Sequence, residues 1–179
     1  MKLADHKKTV KIPLRQATLC FLVRGNEVLL ARKKRGFAEG KINGVGGKVN
    51  DRESVEEAAI RETREEIDVD IKILVKVAEL DFYFSHNPDW NQKVIVFEVR
   101  EWEGEPKESE EMDPSWYSFD KIPYDSMWVD DILWLPNVLE GKKLNAEFLF
   151  NEKEEIVDYM LKELSQNVEG NQQSFFKGG

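Results

Sequence analysis

The sequence predicts an α/β fold, a single domain of strands and helices around one sheet. Two observations predict it: short runs rich in β-branched and aromatic residues recur along the chain, and helical segments stand between and after them. The 179 residues, 41% hydrophobic and 34% charged, are enough to bury a real core and show no internal repeat or linker. We expect 1–166 to form this domain and the polar tail 167–179 to be disordered.

Five strands are predicted where apolar and β-branched residues run between turn signals. The first two form a hairpin around Gly25 and Asn26, a pair that is typical of tight turns. The five predicted strands are 18–23, 28–32, 71–84, 94–101 and 116–119. Cys20 lies in the first of them. Because the chain has a single cysteine and therefore no disulfide framework, we expect Cys20 to be a buried small residue.

Two helices are predicted in the last third of the chain. The first covers 131–140, is disturbed at Pro136 and ends at Gly141. The second covers 152–165 and packs through one apolar stripe. Its expected capping residues are Asn151 and Glu154. The residues of its expected stripe are Ile156, Met160 and Leu164.

A further helix is predicted at 55–67, because this segment contains neither glycine nor proline and Ser54 can cap it. One stripe of this helix begins with small apolar residues and continues with Glu62 and Glu66, so these two carboxylates do not point where a solvated face would. A second stripe can pack on a sheet. Its residues are Ile60, Thr63 and Ile67. The helix is therefore expected to contact protein on much of its circumference.

The acidic residues of this helix break several local rules at one place. Glu62 is three and four residues from Glu65 and Glu66, which places like charges side by side at roughly 0.2–0.5 kcal/mol per pair. They also lie near the C-terminal end of the helix, where its dipole disfavours anions. A bound cation would compensate, and oxygen ligands suit Mg²⁺ or Mn²⁺ better than zinc. The alternative is a solvated helix, on which Glu57 and Arg61 have the spacing of an ion pair.

The spacing of these residues resembles the Nudix box, G-x5-E-x7-R-E-U-x-E-E-x-G-U, where U is a bulky aliphatic residue. The matching residues are Gly47, Glu53, Arg61, Glu62, Glu65, Glu66 and Val69. Two positions depart from the pattern: Thr63 replaces an aliphatic residue, and Asp68 replaces the glycine that ends the helix. Threonine can still pack, and aspartate tolerates the left-handed conformation, so neither departure touches the expected ligands. The resemblance implies a Nudix fold, an α/β/α sandwich with a central mixed sheet.

The resemblance covers about 16–164 and narrows to the MutT-like Nudix hydrolases that act on oxidised purine nucleoside triphosphates. It rests on LLARKKRGFAEGKINGVGGKV before the box and EMDPSWYSFDKIPYDSMWVDDILWLP after it. It implies Mg²⁺-dependent hydrolysis of 8-oxo-dGTP or 2-hydroxy-dATP to the monophosphate and pyrophosphate, a role in nucleotide-pool sanitation and the prevention of DNA damage. Mn²⁺ is the expected substitute for Mg²⁺.

The same resemblance implies roles for individual residues. Expected catalytic residues are Glu53, Arg61, Glu62, Glu65 and Glu66, with Arg61 bracing Glu53 and the ligands. Expected metal ligands are the main chain of Gly46 and the side chains of Glu62, Glu65, Glu66 and Glu111. Expected substrate-binding residues are Thr18, Lys33, Asn43, Gly46, Gly47, Lys48, Phe82, Trp128, Asp130 and Asp131. Which carboxylate acts as general base stays open.

The chemistry of the expected base pocket is plausible for these residue types. The amide of Asn43 can donate and accept, a carboxylate pair can share a proton, and Trp128 offers a stacking surface. Two of these features also have a structural alternative. Trp128 alone is typical of an ordinary core or surface aromatic residue, and Asp130 with Asp131 can form the N-cap of a helix. Ile42 stands where the animal members of this branch have a large aromatic residue. The segment 85–92 also differs from theirs in length and content. Because pocket shape decides which bases enter, the base preference stays open.

Three functions are therefore compared. The favoured one is hydrolysis of oxidised purine nucleoside triphosphates. The second is hydrolysis of another nucleoside diphosphate derivative, such as an ordinary nucleoside triphosphate, a dinucleoside polyphosphate or a sugar nucleotide. The third, a nucleotide-binding Nudix module without turnover, is disfavoured by the intact carboxylates of the box, and the expected base pocket favours the first over the second.

Composition limits the partners. The formal net charge of -9 argues against polymeric nucleic acid, because a phosphate backbone requires a basic surface. No apolar stretch is as long as the hydrophobic part of a signal peptide or as a membrane-spanning segment. We expect a cytoplasmic protein, more simply a monomer, that binds a small nucleotide and neither nucleic acid nor membrane.

Overall fold

The computed structural model describes residues 1–165 and the backbone of 172–174. The helices of this part are α1 (Leu3–Thr9), α2 (Val55–Ile67) and α3 (Asp131–Leu139). The strands are β1 (Arg15–Arg24), β2 (Glu27–Lys33), β3 (Ile42–Asn43), β4 (Asp70–Phe84), β5 (Gln92–Glu103), β6 (Met112–Ser118), β7 (Leu144–Phe150), β8 (Ile156–Glu163) and β9 (Gln172–Ser174). None of the helices in this described part is both long and apolar enough to cross a membrane.

The strands form one mixed sheet. Their order is β3-β2-β1-β5-β4-β7-β8, with β6 also paired to β2 and β9 to β4. The pairs β1–β5 and β4–β7 are parallel, and the other pairs are antiparallel. The predicted hairpin of the first two strands is present, and Gly25 at its turn has a φ of 54°. The expected mixed sheet is therefore confirmed.

Both faces of the sheet are covered, as the alternation of side chains along β1 shows. Phe21 and Val23 belong to a core that includes Trp134 of α3, whereas Cys20 and Leu22 belong to a second core that includes residues of α2. Cys20 is fully buried, and burial raises the pKa of its thiol to about 12, as expected for a packing residue. The expected α/β/α sandwich is confirmed.

Helix α2 begins and ends at the predicted residues. The Ser54 hydroxyl accepts the N–H of Glu57 at 3.1 Å, and the Glu57 carboxylate accepts the N–H of Ser54 at 2.8 Å, which is a complete capping box. Asp68 ends the helix with a φ of 58° and a ψ of 40°, the left-handed conformation in which glycine was expected. Thr63 is fully buried, and its hydroxyl donates to the Ala59 carbonyl at 2.8 Å.

The helix predicted at 152–165 is wrong. Residues 156–163 form β8 instead, which pairs with β7, a strand that the sequence pattern did not predict. The expected packing stripe is also wrong, because Met160 is 54% exposed and Leu161 packs with Ile156 against the core that includes Trp134. A spacing of four residues fits the periods of a helix and of a strand, so this pattern does not distinguish them. Asn151 Oδ1 accepts the N–H groups of Lys153 at 2.9 Å and Glu155 at 3.0 Å, so its side chain closes the β7–β8 turn instead of capping a helix.

At its N-terminal end, the chain forms helix α1, which was not predicted. Leu3 of this helix packs with Tyr83 and Leu149, and the backbone N–H of Leu3 donates to the Asp158 carboxylate at 2.8 Å. Of the tail 167–179, the structure describes the backbone of 172–174, which forms β9 beside β4; the expected disorder of the tail stays a prediction. The other tail residues lie outside the described part.

We expect Ser54→Ala to destabilise the protein by about 1 kcal/mol, because the capping box loses the hydroxyl that accepts from the first turn of α2. Ser118→Ala is the matched control, since Ser118 precedes a 3₁₀ turn without a side-chain cap hydrogen bond. Chemical denaturation of both variants and the wild type measures the difference. Equal midpoints for the two variants would contradict a stabilising role for the cap.

Candidate active site

A glycine-containing loop, 44–48, lies between β1 and α2. Val45 and Cys20 exchange backbone hydrogen bonds of 3.0 and 2.6 Å, and Thr18 N–H donates to the Gly47 carbonyl at 2.8 Å. A Cβ added to Gly46 would lie 1.9 Å from the Thr18 carbonyl oxygen. Only glycine therefore permits this approach of the loop to the strand.

The other side of this loop contacts the acidic stripe of α2. A Cβ added to Gly47 would lie 2.5 Å from Glu62 Oε1, and Gly46 N–H donates to Glu66 Oε2 at 3.1 Å. The side chain of Glu62 is 16% exposed and Glu66 is 5% exposed, whereas the side chain of Glu65 is 59% exposed. The expectation that Glu62 and Glu66 are not on a solvated face is therefore confirmed.

Arg61 connects the acidic residues of the box to one another. Its guanidinium donates to both carboxylate oxygens of Glu53, at 2.7 and 3.0 Å, to Glu62 at 3.0 Å and to Glu65 at 3.2 Å. The expected bracing of Glu53 is therefore present in the geometry. The Glu57–Arg61 ion pair suggested by helical spacing is wrong. The Glu57 carboxylate takes part in the capping box, and the Arg61 guanidinium forms a bidentate ion pair with Glu53 instead.

Burial perturbs the carboxylates of this stripe. It raises the pKa of Glu66 to about 8, with the charge of Glu62 adding to the effect and the Gly46 N–H opposing it. It also raises the pKa of Glu62, against the opposing influence of Arg61. The hydrogen bonds from Arg61 lower the pKa of Glu53. Two buried acidic groups thus lie together where their ionised forms are penalised, an arrangement that a cation would relieve.

The expected metal ligands fit a hard divalent cation in their chemistry, because all of them are oxygen donors. They are not assembled around one point: residues 1–165 contain no group of three or more acidic, histidine or cysteine side chains arranged to hold a metal. Glu111 is half exposed and pairs with Arg35 at 3.3 Å, although its charge contributes to the raised pKa of both Glu62 and Glu66. The ligand set stays a prediction.

A cavity of about 590 Å³ opens beside the glycine loop, on the face of the sheet that α3 covers. The structure brings every expected substrate-binding residue to its wall. These residues are Thr18, Lys33, Asn43, Gly46, Gly47, Lys48, Phe82, Trp128, Asp130 and Asp131. The loop that contacts the α2 carboxylates therefore also lines the cavity, so an elongated ligand can reach both.

The acidic pair of this cavity is deeply buried. Asp130 and Asp131 are each 2% exposed. The indole Nε1–H of Trp134 donates to the Asp130 carboxylate at 2.9 Å, and the backbone N–H of Trp128 donates to the Asp131 carboxylate at 3.1 Å. Asp130 is the N-cap residue of α3, as the simpler interpretation expects, but its side chain makes no cap hydrogen bond. Burial raises the pKa of both carboxyls, and the neighbouring Asp130 raises that of Asp131 further, which favours one shared proton.

Several cavity residues were missed in the sequence. Phe37 stacks on Trp128 with ring centroids 5.9 Å apart, Trp90 lies 5.6 Å from Phe37, and Lys41 Nζ lies 5.0 Å from the centroid of Trp128. Arg15 also lines the cavity. Large aromatic residues within otherwise polar loops were the available signal for Phe37 and Trp90, because such side chains are rarely left exposed without a partner.

Comparison with known proteins places this geometry in a family. A NUDIX domain model matches residues 13–138. The chain is 43% identical over 147 residues to an oxidized purine nucleoside triphosphate hydrolase of Danio rerio and 40% identical over 147 residues to that of Mus musculus, in each case covering 82% of this chain and 94% of the relative. A crystal structure of a MutT protein from Bacillus halodurans superimposes with a TM-score of 0.73 and 26% identity, covering 83% of this chain and 97% of that one.

The chain therefore belongs to the Nudix family and is a Nudix hydrolase. The expected Nudix fold is confirmed. Nudix hydrolases generally use divalent metal ions, and a small nucleotide substrate fits the family. The roles of the individual site residues stay predictions.

We expect Gly47→Ala to impair turnover and Gly46→Ala to impair folding. The added methyl of Gly47→Ala meets the end of the flexible Glu62 side chain, so turnover should fall while the melting temperature changes little. The methyl of Gly46→Ala meets the backbone of β1, so the fold itself should be strongly destabilised. Melting curves and turnover of both variants test this difference. Equal destabilisation of the two variants would contradict the assignment of the Gly47 contact to Glu62.

The buried acidic pair predicts a pH dependence of stability. Because the folded pKa of Asp131 is raised above its unfolded value, its contribution is fully present below pH about 4 and is lost as pH rises toward the folded pKa. We expect Asp131→Asn to be more stable than the wild type at pH 8, an advantage that disappears near pH 4. Thermal melts over this range measure it, with Asp125→Asn as the control at an exposed site. Parallel pH profiles for wild type and Asp131→Asn would contradict the burial argument.

Proposed function

We propose that this Nudix hydrolase cleaves oxidised purine nucleoside triphosphates, such as 8-oxo-dGTP or 2-hydroxy-dATP, to the monophosphate and pyrophosphate. The observation that carries the proposal is one cavity that contains Asn43, Trp128 and a buried aspartate pair and that is lined by the loop over the α2 carboxylates. The names of the Danio rerio and Mus musculus relatives, which match most of this chain, support the same substrates.

The aspartate pair suits the recognition of an altered purine edge. Two carboxyls that share one proton present a donor and an acceptor side by side, and the proton can be placed on either group. Asn43 Oδ1 accepts the N–H of Gly44 at 2.8 Å, which fixes the amide plane and leaves its amino group to donate to a base. Trp128 supplies a flat surface beside these polar groups. We assign base recognition to Asn43, Trp128, Asp130 and Asp131.

The polyphosphate chain would then extend toward the glycine loop and α2. Lys33 and Lys48 line this part of the cavity and place positive charge beside the phosphates, and Thr18 and Gly47 complete its wall. Phe82 stacks on Phe148 at 5.6 Å and forms the apolar floor. We assign substrate binding to these residues together with Gly46.

The acidic residues of the box would hold the metal and organise the reaction. We propose Mg²⁺ as the ion, with Mn²⁺ as a substitute, and as ligands the main chain of Gly46 with Glu62, Glu65, Glu66 and Glu111. When bound, the ion polarises phosphate oxygens and acidifies a water molecule. Arg61 orients Glu53 and Glu62 through its hydrogen bonds, and a cation bound beside Glu66 would favour the ionised carboxylate that burial disfavours.

The role that follows is sanitation of the nucleotide pool by a cytoplasmic enzyme that acts on free nucleotides. The net charge of -9 supports a small substrate over polymeric nucleic acid, since a triphosphate arrives with its own divalent cation and needs no broad basic surface. We propose no membrane partner and a monomeric enzyme.

A substrate panel with Mg²⁺ tests the function. We expect kcat/KM for 8-oxo-dGTP and 2-hydroxy-dATP to exceed that for dGTP, dATP, ADP-ribose and diadenosine polyphosphates, because the protonated aspartate pair matches the altered edges. Glu66→Gln should reduce turnover by more than roughly a hundredfold, since even outer partners of a metal site cost about 10–100-fold when replaced. Its melting curve should show a folded protein. Equal rates on damaged and undamaged nucleotides would remove the sanitising role.

A further inference from the structure

The wall of the cavity contains a continuous series of aromatic rings. Phe150 and Phe84 stack with centroids 5.2 Å apart, Phe84 meets Trp90 edge-on at 5.7 Å, and Trp90 meets Phe37 at 5.6 Å. Phe37 in turn stacks on Trp128 at 5.9 Å. Trp90 is thus the ring that connects the aromatic residues of the sheet to Phe37, in the loop after β2, and through it to Trp128, which precedes α3.

Trp90 belongs to the segment 85–92, which departs from the family resemblance. Its side chain lines the cavity and is 38% exposed, and that of Phe37 is 57% exposed. Leaving two large rings in contact with water is unfavourable unless a ligand covers them. Their exposure on a cavity wall therefore indicates a surface for a flat apolar group.

The segment that carries Trp90 is rigidly built. Trp90 ends a short 3₁₀ turn, Pro88–Trp90, in which Asn87 Oδ1 accepts the N–H of Asp89 at 3.2 Å. The next residue, Asn91, is 5% exposed, and its Oδ1 accepts the N–H of Phe84 at 2.8 Å. The guanidinium of Arg15 also donates to the Asp89 carbonyl. A ring held by this frame is preorganised to meet a ligand and loses little freedom on binding.

We propose that Trp90 is a specificity-determining residue, which selects two-ring bases over single-ring bases through the aromatic wall that it closes with Phe37. This inference rests on the proposed function, because it assumes that a nucleobase occupies the cavity. A base held by the aspartate pair would lie beside Trp128, from which the series of rings continues through Phe37 to Trp90. A purine offers the larger flat face to this series, so it gains more stacking contact than a pyrimidine does.

Calorimetric titration without metal tests this role independently of turnover, with 8-oxo-dGMP and dCMP as ligands. We expect Trp90→Ala to weaken 8-oxo-dGMP binding by about tenfold, the effect of one base–ring contact, and to change dCMP binding by less than about twofold. Trp90→Phe should restore most of the affinity for the purine. In assays with 8-oxo-dGTP, KM should rise in parallel, while kcat stays within about twofold because the α2 carboxylates are unchanged.

Trp102→Ala is the matched control, because Trp102 stacks on Trp116 in the core that packs against α2 and does not line the cavity. It should leave both affinities unchanged. If Trp90→Ala does not fold, Trp90→Leu, which keeps apolar bulk but lacks the ring, should show the same selective loss.

Purine binding by Trp90→Ala that equals the wild type, an equal loss for both monophosphates, or a fall in kcat alone would overturn the inference. Failure of the wild type to bind either monophosphate would overturn it as well. Failure of the wild type to hydrolyse oxidised purines, with selective binding intact, would instead refute the proposed function and leave the role of Trp90 standing.

Discussion

The close approach of the Gly46–Gly47 backbone to β1 on one side and to α2 on the other is the constraint on which the site depends. A side chain at either position would meet the carbonyl of Thr18 or the carboxylate of Glu62. The loop therefore lies flat enough for its backbone to bond β1 and to donate to Glu66. Because this loop also lines the cavity, its contacts with α2 fix the positions of Glu62 and Glu66 relative to the cavity.

The protein buries two pairs of acidic side chains, Glu62 with Glu66 and Asp130 with Asp131, and it stabilises the two pairs differently. Glu62 and Glu66 lie beside the guanidinium of Arg61 and the Gly46 N–H, and their remaining repulsion can be relieved by a cation. The aspartate pair of the cavity instead accepts hydrogen bonds from an indole and a backbone N–H, and burial raises the pKa of both carboxyls, which favours their neutral forms. Burying acids in either way costs stability, and such costs are retained where function needs them. The first group therefore suits metal chemistry, and the second suits the reading of base tautomers.

Sequence patterns predicted the elements whose determinants are local. The cap at Ser54, the left-handed Asp68 and the first hairpin all follow from neighbouring residues, and each is present. The β7–β8 hairpin could not be predicted in this way, because its residues gain their partners from the distant strand β4, and tertiary pairing overrides weak helical propensity. For Arg61, the family resemblance implied the contact with Glu53, which is present, whereas helical spacing suggested Glu57, whose carboxylate is used by the capping box instead. Local patterns therefore predicted caps and turns, but they failed where the partner comes from a distant strand or where two acids compete for one guanidinium.

The candidate site shows the same division. The residues expected to bind substrate line one cavity, and Arg61 contacts Glu53, Glu62 and Glu65, whereas the expected metal ligands are not assembled around one point in the described residues. The aromatic wall was missed, since the 37 and 90 positions are far apart in the chain and become neighbours only when the loop after β2 reaches the turn before β5. The turn before β5 is also where the chain departs from the family pattern. Phe37 and Trp90 both lie outside the Nudix box, which accounts for the carboxylates of α2 but not for the shape of the cavity. Differences in selectivity between this chain and its relatives should therefore be sought in the segments that match them least.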